Sequence, residues 1–133
     1  MGNFSNEAIV KLMFKNAAEK NIPATISAFD KDVVWVRPGE PDIPFSGTFP
    51  GIDGMINMLT LIQQSIKLKE FIPEQYCSND DTVLVMGHDE AEVIATGKTY
   101  HTEWVQLFRF RNDKIYHVHV YMDTLAVARA FKP

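Results

Sequence analysis

The chain has 133 residues, 46% hydrophobic and 23% charged, with a formal net charge of -4. This is the size and balance of one globular domain with a real core. It is the balance of a soluble globular protein rather than a disordered or membrane one and, with no Lys/Arg stripe, argues against a nucleic-acid backbone as main partner. No apolar run reaches the roughly 18 residues of a membrane helix, so no membrane partner is expected either. The N-terminus lacks the basic start and apolar core of a signal peptide, and Cys77 is the only cysteine. Both features fit a cytoplasmic, reducing setting in which Asn3-Phe4-Ser5 is no glycosylation site.

Ser5 is placed to cap a first helix, with Glu7 at its positive end and Ile9, Val10, Leu12, Met13, Phe14 and Ala17 on a broad apolar face. That helix should stop near Lys20-Asn21, because Pro23 cannot continue it but can open a new one. A short second helix follows, from Ala24 to about Phe29. Asp30-Lys31-Asp32 then turns the chain into a strand, Val33-Val34-Trp35-Val36-Arg37, rich in β-branched and aromatic residues. Pro38 to Pro44 contains three prolines and a glycine and reads as a loop that would rim a pocket. Phe45 to Phe49 suggests a brief strand. From Ile52 to about Lys67 the apolar residues Ile52, Met55, Ile56, Met58, Leu59, Ile62 and Ile66 recur at helical spacing.

The period then changes. Leu68–Cys77, Thr82–Ala95, Tyr100–Arg111 and Ile115–Tyr121 read as four strands, joined in part by the short turns Thr96-Gly97-Lys98 and Asn112-Asp113-Lys114. Asp123-Thr124 opens a last helical segment through Ala130. Helices first and an antiparallel meander second define an α+β single domain. Alternation places Thr102, Trp104, Gln106, Phe108 and Phe110 on one face, opposite His101, Glu103, Val105, Leu107 and Arg109. On the last strand it separates Val118, Val120 and Met122 from His117, His119 and Tyr121. A curved sheet with three helices over its concave side would bury the first set of each strand. The second would meet solvent or another subunit.

Several segments, in this order and spacing, resemble the SnoaL-like branch of the nuclear transport factor 2-like superfamily. They are Asn16-Ala17-Ala18-Glu19-Lys20-Asn21, Ala28-Phe29-Asp30-Lys31-Asp32-Val33-Val34-Trp35, Gly47-Thr48-Phe49-Pro50-Gly51, Phe108-Arg109-Phe110-Arg111-Asn112-Asp113-Lys114-Ile115 and Tyr121-Met122-Asp123-Thr124. The resemblance covers nearly the whole chain. It implies a cone-shaped half-barrel holding a small hydrophobic ligand, commonly as a homodimer, here through the outer sheet face. It does not imply one reaction, since isomerases, cyclases, epoxide hydrolases, dehydratases and non-catalytic binders share this fold.

Ketosteroid isomerases of this fold use a carboxylate base with a tyrosine and a protonated aspartate as oxyanion donors. Those places fall here at Arg37, Met13 and Gln106. Methionine donates no proton and arginine abstracts none at neutral pH, so that mechanism is rejected. The Asp–Arg–Asp set of epoxide hydrolases would fall at Trp104, Gln106 and Val120, and is absent. The late-strand acid of polyketide cyclases corresponds to Asp123.

Arg37 suits a carboxylate or enolate oxygen, or else pairs with Glu40 or Asp42 at the rim. Gln106, among aromatics, must find a partner in a ligand or in neighbouring backbone, because an unpaired amide costs roughly 1–3 kcal/mol. Trp35 and Trp104 would stack on a flat ligand or simply fill the core, and Met13, Met58, Phe108, Val118 and Val120 complete the apolar lining. His88 is a candidate acid or base if its side chain faces inward. Asp123 is read first as a helix cap, with proton transfer as the alternative. His117 and His119, beside His101 and Glu103, have metal-compatible spacing but no closing cysteine, so neither metal nor cofactor is expected. The expected partner is a small apolar molecule. The expected function is a cofactor-independent isomerase, cyclase or lyase acting on a carbonyl compound, or alternatively a non-catalytic carrier.

Overall fold

A computed structural model describes residues 5–133. The Asn3 and Phe4 positions of the triplet above lie outside them. Helix α1 spans Asn6–Ala18, and the Ser5 hydroxyl accepts a hydrogen bond from the Ala8 amide, as a cap should. Helix α2, Ile22–Ile26, has Asn21 as its cap and Pro23 in its first turn. It is earlier and shorter than the sequence suggests, because Phe29 already belongs to strand β1, Phe29–Arg37. Strand β2 is Gly47–Pro50. Phe45 lies before it, in the loop, with its ring buried rather than paired in the sheet. Helix α3, Gly51–Ser65, ends one residue before β3, Ile66–Ser78. Strands β4 (Thr82–Val93), β5 (Thr99–Arg111) and β6 (Lys114–Tyr121) follow, then helix α4, Thr124–Phe131.

The six strands form one sheet in the order β2-β1-β6-β5-β4-β3. Every neighbouring pair is antiparallel except β1 and β6, which run parallel. The expected meander is therefore β3 to β6, and β1 docks beside its last strand. Register shifts in β3 at Leu68/Glu70 and Pro73/Gln75, and between β5 and β6 at Arg109/Phe110, bend the sheet into an open cone. The tight β5–β6 turn uses Asn112 and Asp113 at φ 50° and 62°, the left-handed pair that a two-residue hairpin requires. The outermost strand β3 carries Lys67, Lys69, Glu70, Pro73 and Glu74, residues that discourage edge-to-edge pairing.

Burial alternates strictly along β4 and β5. Their inward residues meet Val10 and Met13 of α1 and Met55 and Met58 of α3 in one apolar cluster that also holds Trp35, Trp104, Phe108, Val118 and Val120. A second cluster, Ile43, Phe45, Ile66, Ala91, Val93 and Tyr100, is closed by Val127, Ala128 and Ala130 of α4. Helix α4 is tied to the β4–β5 hairpin, where the Thr96 hydroxyl donates to the Ala130 carbonyl at 2.6 Å and Lys98 Nζ to the Lys132 carbonyl at 2.7 Å. Asp123 Oδ1 accepts from the Ala126 amide at 3.0 Å. Asp123→Ala should therefore destabilise the chain by about 1 kcal/mol in urea unfolding; no measurable loss would show that the tether, not the cap, holds α4.

Candidate functional site

The sheet's concave face carries polar groups where the two clusters meet. Strand alternation turns Arg37 (β1), Asp89 (β4), Tyr100, Thr102 and Gln106 (β5) to this side. Val120 pairs with Gln106, and Val36 pairs with His119 one residue earlier. Arg37 and Gln106 thus flank Val120 across three neighbouring strands, about 10 Å apart at the backbone.

Arg37 forms no ion pair with any described residue, Glu40 and Asp42 included. Its guanidinium lies 5.3 Å from the centre of the Phe45 ring. Its Nε is buried without a partner. Burial pulls its pKa down to about 10, and the nearby acids Tyr100 and Asp89 oppose that fall. Asp89 is 7% exposed, and its Oδ1 accepts the Thr102 hydroxyl at 2.5 Å across the β4–β5 pair. Desolvation holds its carboxyl above the ordinary aspartate range, moderated by Thr102, Arg37 and His88. The buried Tyr100 phenol is pushed upward for the same reason.

Four buried side-chain atoms lack a hydrogen-bond partner among the described residues: Trp35 Nε1, Arg37 Nε, Trp104 Nε1 and Gln106 Oε1. All four residues are candidates that the sequence singles out. Gln106 has thus found no backbone partner for its oxygen. Trp104 packs face to face with Phe71, ring centres 4.7 Å apart, and Trp35 meets Phe108 edge-on at 6.4 Å. Met13, Met58, Phe108, Val118 and Val120 are buried around them.

Two proton-transfer candidates do not join this group. His88 is on the outer face, because Gly87 and Asp89 are the inward residues of β4. There it bonds Glu74 at 2.9 Å and faces Glu70 at 3.8 Å, and Glu74 chiefly raises its pKa. Asp123 caps α4. The acid that does lie near Arg37 is Asp89, which the sequence pattern does not single out. The signal was the apolar alternation Val83, Val85, Ala91, Val93, masked by the equally apolar Leu84 and Met86 on the opposite parity. His117 and His119 also lie on the outer face, with His119 stacked on Tyr121 at 4.3 Å. Among the described residues, no group of three or more His, Cys, Asp or Glu side chains is placed to hold a metal ion. None of the described helices is long and apolar enough to cross a membrane.

The free space beside Arg37 is small. Beside Arg37 the free space is about 10 Å³, bounded by Pro38, Ile43, Phe45, Ser46, Val120 and Met122. That is space for about one water, not for a metabolite. Methionines and aromatics make up much of the core around it. A larger, open depression of about 530 Å³ lies where β6 ends beside β5, lined in part by Glu74, Met86, Glu103, Trp104, Tyr121 and Met122.

A bent sheet with helices on its concave side, polar groups between two apolar clusters, and one parallel junction define a cone of the nuclear transport factor 2-like type. The chain belongs to the SnoaL-like domain family, whose pattern matches residues 10–118. A nuclear transport factor 2-like protein from Burkholderia xenovorans is 28% identical, with 96% of this chain and 95% of that one aligned at a TM-score of 0.88. TerC, crystallised with polyporic acid, is 21% identical over 96% and 98% of the two chains at 0.83. A candidate isomerase from Rhodopseudomonas palustris is 14% identical over 97% of each chain at 0.80. The last two show likeness of fold alone. No curated protein matches the chain.

Proposed function

We propose that this chain takes a small, mostly apolar, oxygen-bearing molecule onto the concave face of its sheet and acts on it as a cofactor-independent isomerase, cyclase or lyase. The observation that carries this reading is the set of four unpartnered buried atoms, three donors and one acceptor, on Trp35, Arg37, Trp104 and Gln106. Each such atom costs roughly 1–3 kcal/mol if nothing meets it, and folded proteins leave few. Oxygens of a bound ligand would meet the donors, and a ligand hydroxyl would meet Gln106 Oε1. Met13, Met58, Phe108, Val118 and Val120 would supply apolar walls.

Arg37 would stabilise negative charge developing on a carbonyl oxygen, an interaction strengthened by the surrounding low dielectric. Asp89 takes the proton-transfer role here in place of His88 and Asp123, because it is the acid on the concave face, and desolvation raises its carboxyl above the ordinary aspartate range. The crystallisation of TerC with polyporic acid is consistent with a fold that accommodates a small organic acid. A non-catalytic carrier is the second reading, favoured by the engagement of the Asp89 carboxylate with Thr102. Chemically unchanged ligand after long incubation would select it.

The outer sheet face is the proposed homodimer surface, centred on the half-buried row Leu84, Leu107 and His119, which pair across β4, β5 and β6. Native mass spectrometry of protein purified gently from its own cells tests both readings. The expected species is a dimer with an added mass on the order of a few hundred daltons per chain. Gln106→Leu should then weaken binding of the recovered compound about tenfold, read by tryptophan fluorescence. Unchanged affinity in both Gln106→Leu and Arg37→Met would overturn the site.

A further inference from the structure

On the outer face of the sheet, the pairing of β4, β5 and β6 sets side chains in cross-strand lines. The middle line is the half-buried row Leu84, Leu107 and His119. One step along the strands lie Thr82, Arg109 and His117. One step the other way lie Met86, Val105 and Tyr121, and beyond them His88 and Glu103. The two flanks differ in charge. Arg109 is exposed and forms no ion pair with any described residue. Glu103, on the opposite flank, is likewise exposed and likewise without an ion pair among the described residues. Glu70 and Glu74 reach that same flank from β3, where both face His88. Along β5 alone the outward residues read Glu103, Val105, Leu107, Arg109 and Arg111, acidic at one end and basic at the other. Arg111 is already engaged with Asp30 and the Tyr116 ring, which leaves Arg109 to seek a partner.

The open depression of about 530 Å³ lies on the acidic flank, with Met86, Val105 and Tyr121 in its lining beside Glu74 and Glu103. Apolar and aromatic walls with two carboxylates suit an arginine, whose stem packs on hydrocarbon while its guanidinium meets the acids. A symmetric dimer uses the same patch on both copies. A two-fold axis running along β5 would set Arg109 against Arg109 and Glu103 against Glu103. An axis along the middle row instead reverses the strand direction and exchanges the flanks. Arg109 then stands over Val105 of the second copy, between Met86 and Tyr121 and beside the two acids. Stacked sheets lie about 10 Å apart, a gap that facing side chains fill.

We propose that the depression is the socket for Arg109 of a second copy of this chain, in a two-fold dimer about the Leu84–Leu107–His119 row with its strands antiparallel across the interface. This rests on the homodimer surface of the functional reading above, and adds its axis and its anchor.

Sedimentation velocity of the full-length protein over a dilution series gives the dimer dissociation constant. Arg109→Glu and Glu103→Arg are each expected to raise it about tenfold or more, because each sets like charges together at both ends of the interface. Mixed in equal amounts, the two variants are expected to form a heterodimer of near-parental affinity, since both contacts then join opposite charges. Both side chains are exposed, so neither change touches the core. A dimer indifferent to both single substitutions would overturn the socket and keep the dimer surface. Single variants of parental affinity whose mixture exceeds the parent would place the axis along the strands, and would overturn it as well. So would a mixture no tighter than either variant alone. A monomeric parent would remove the dimer surface together with the socket, and would leave the ligand-binding reading to its own test.

Discussion

Arg37→Met is expected to raise the thermal unfolding midpoint by about 6–10 °C, equivalent to about 2 kcal/mol for a domain of this size, while abolishing ligand binding. The folded environment lowers the guanidinium from its usual value to about 10, a penalty of about 3 kcal/mol for keeping it charged at neutral pH. Removing its contact with the Phe45 ring returns about 1 kcal/mol of that. Methionine has a similar length, no charge, and a shape that adapts to the Ile43–Phe45–Val120 surroundings. The sign with pH is fixed by the same displacement. A base lowered on folding carries its full penalty below the folded value, and the penalty fades as pH rises above about 10 toward the usual guanidinium value. The advantage of Arg37→Met should therefore be constant from pH 6 to 9 and shrink above about 10. Calorimetric scans across that range measure it. A variant less stable than the parent would show that Arg37 holds the fold through an interaction absent from this structure, and would remove the stability–function conflict on which the site assignment leans.

Gly87→Ala is expected to cost about 3 kcal/mol or more, in contrast to the usual neutrality of such a change in a strand. Gly87 is inward on β4, opposite Trp104 on β5 and Pro73 on β3. A Cβ there would stand 2.2 Å from the Ile72 carbonyl oxygen and 2.6 Å from Cζ2 of the Trp104 indole. The first neighbour is backbone and the second is a rigid ring stacked on Phe71, so neither can yield cheaply. Glycine is required here for space, not for a left-handed backbone, since φ at this position is ordinary. The indole occupies the room that the missing side chain leaves. Urea unfolding gives the loss of stability, and a changed tryptophan emission should accompany it as Trp104 is displaced. An unchanged midpoint would mean that the β3 bend relaxes freely.

Much of the concave face was legible in advance. The period of two along Thr102–Phe110 and Val118–Met122 identified the buried side of β5 and β6 residue by residue, because alternation is a local property of an extended chain. Arg37 and Gln106 stand out as polar groups on apolar faces, and Trp35 and Trp104 as aromatics that would stack on a ligand or fill the core; these four are the residues with unpartnered buried atoms. His88 and Asp89 are neighbours in sequence on a strand with apolar residues at both parities, so the choice between them needed the helices. Covered by α1 and α3, the face of Val83 and Val85 became the inside, which carried Asp89 in and left His88 to Glu74.

The sequence alone therefore determined the α+β class, the order of elements, the caps of α1 and α4 and the inward residues of the last two strands. Capping, helical spacing and strand alternation all act within a few residues. Tertiary structure decided the parallel pairing of β1 with β6, the fit of the Trp104 indole over Gly87 and the nearness of Asp89 to Arg37. Each depends on segments far apart in the chain meeting in one register, and on what covers a face once it has formed. Local composition carries no record of either.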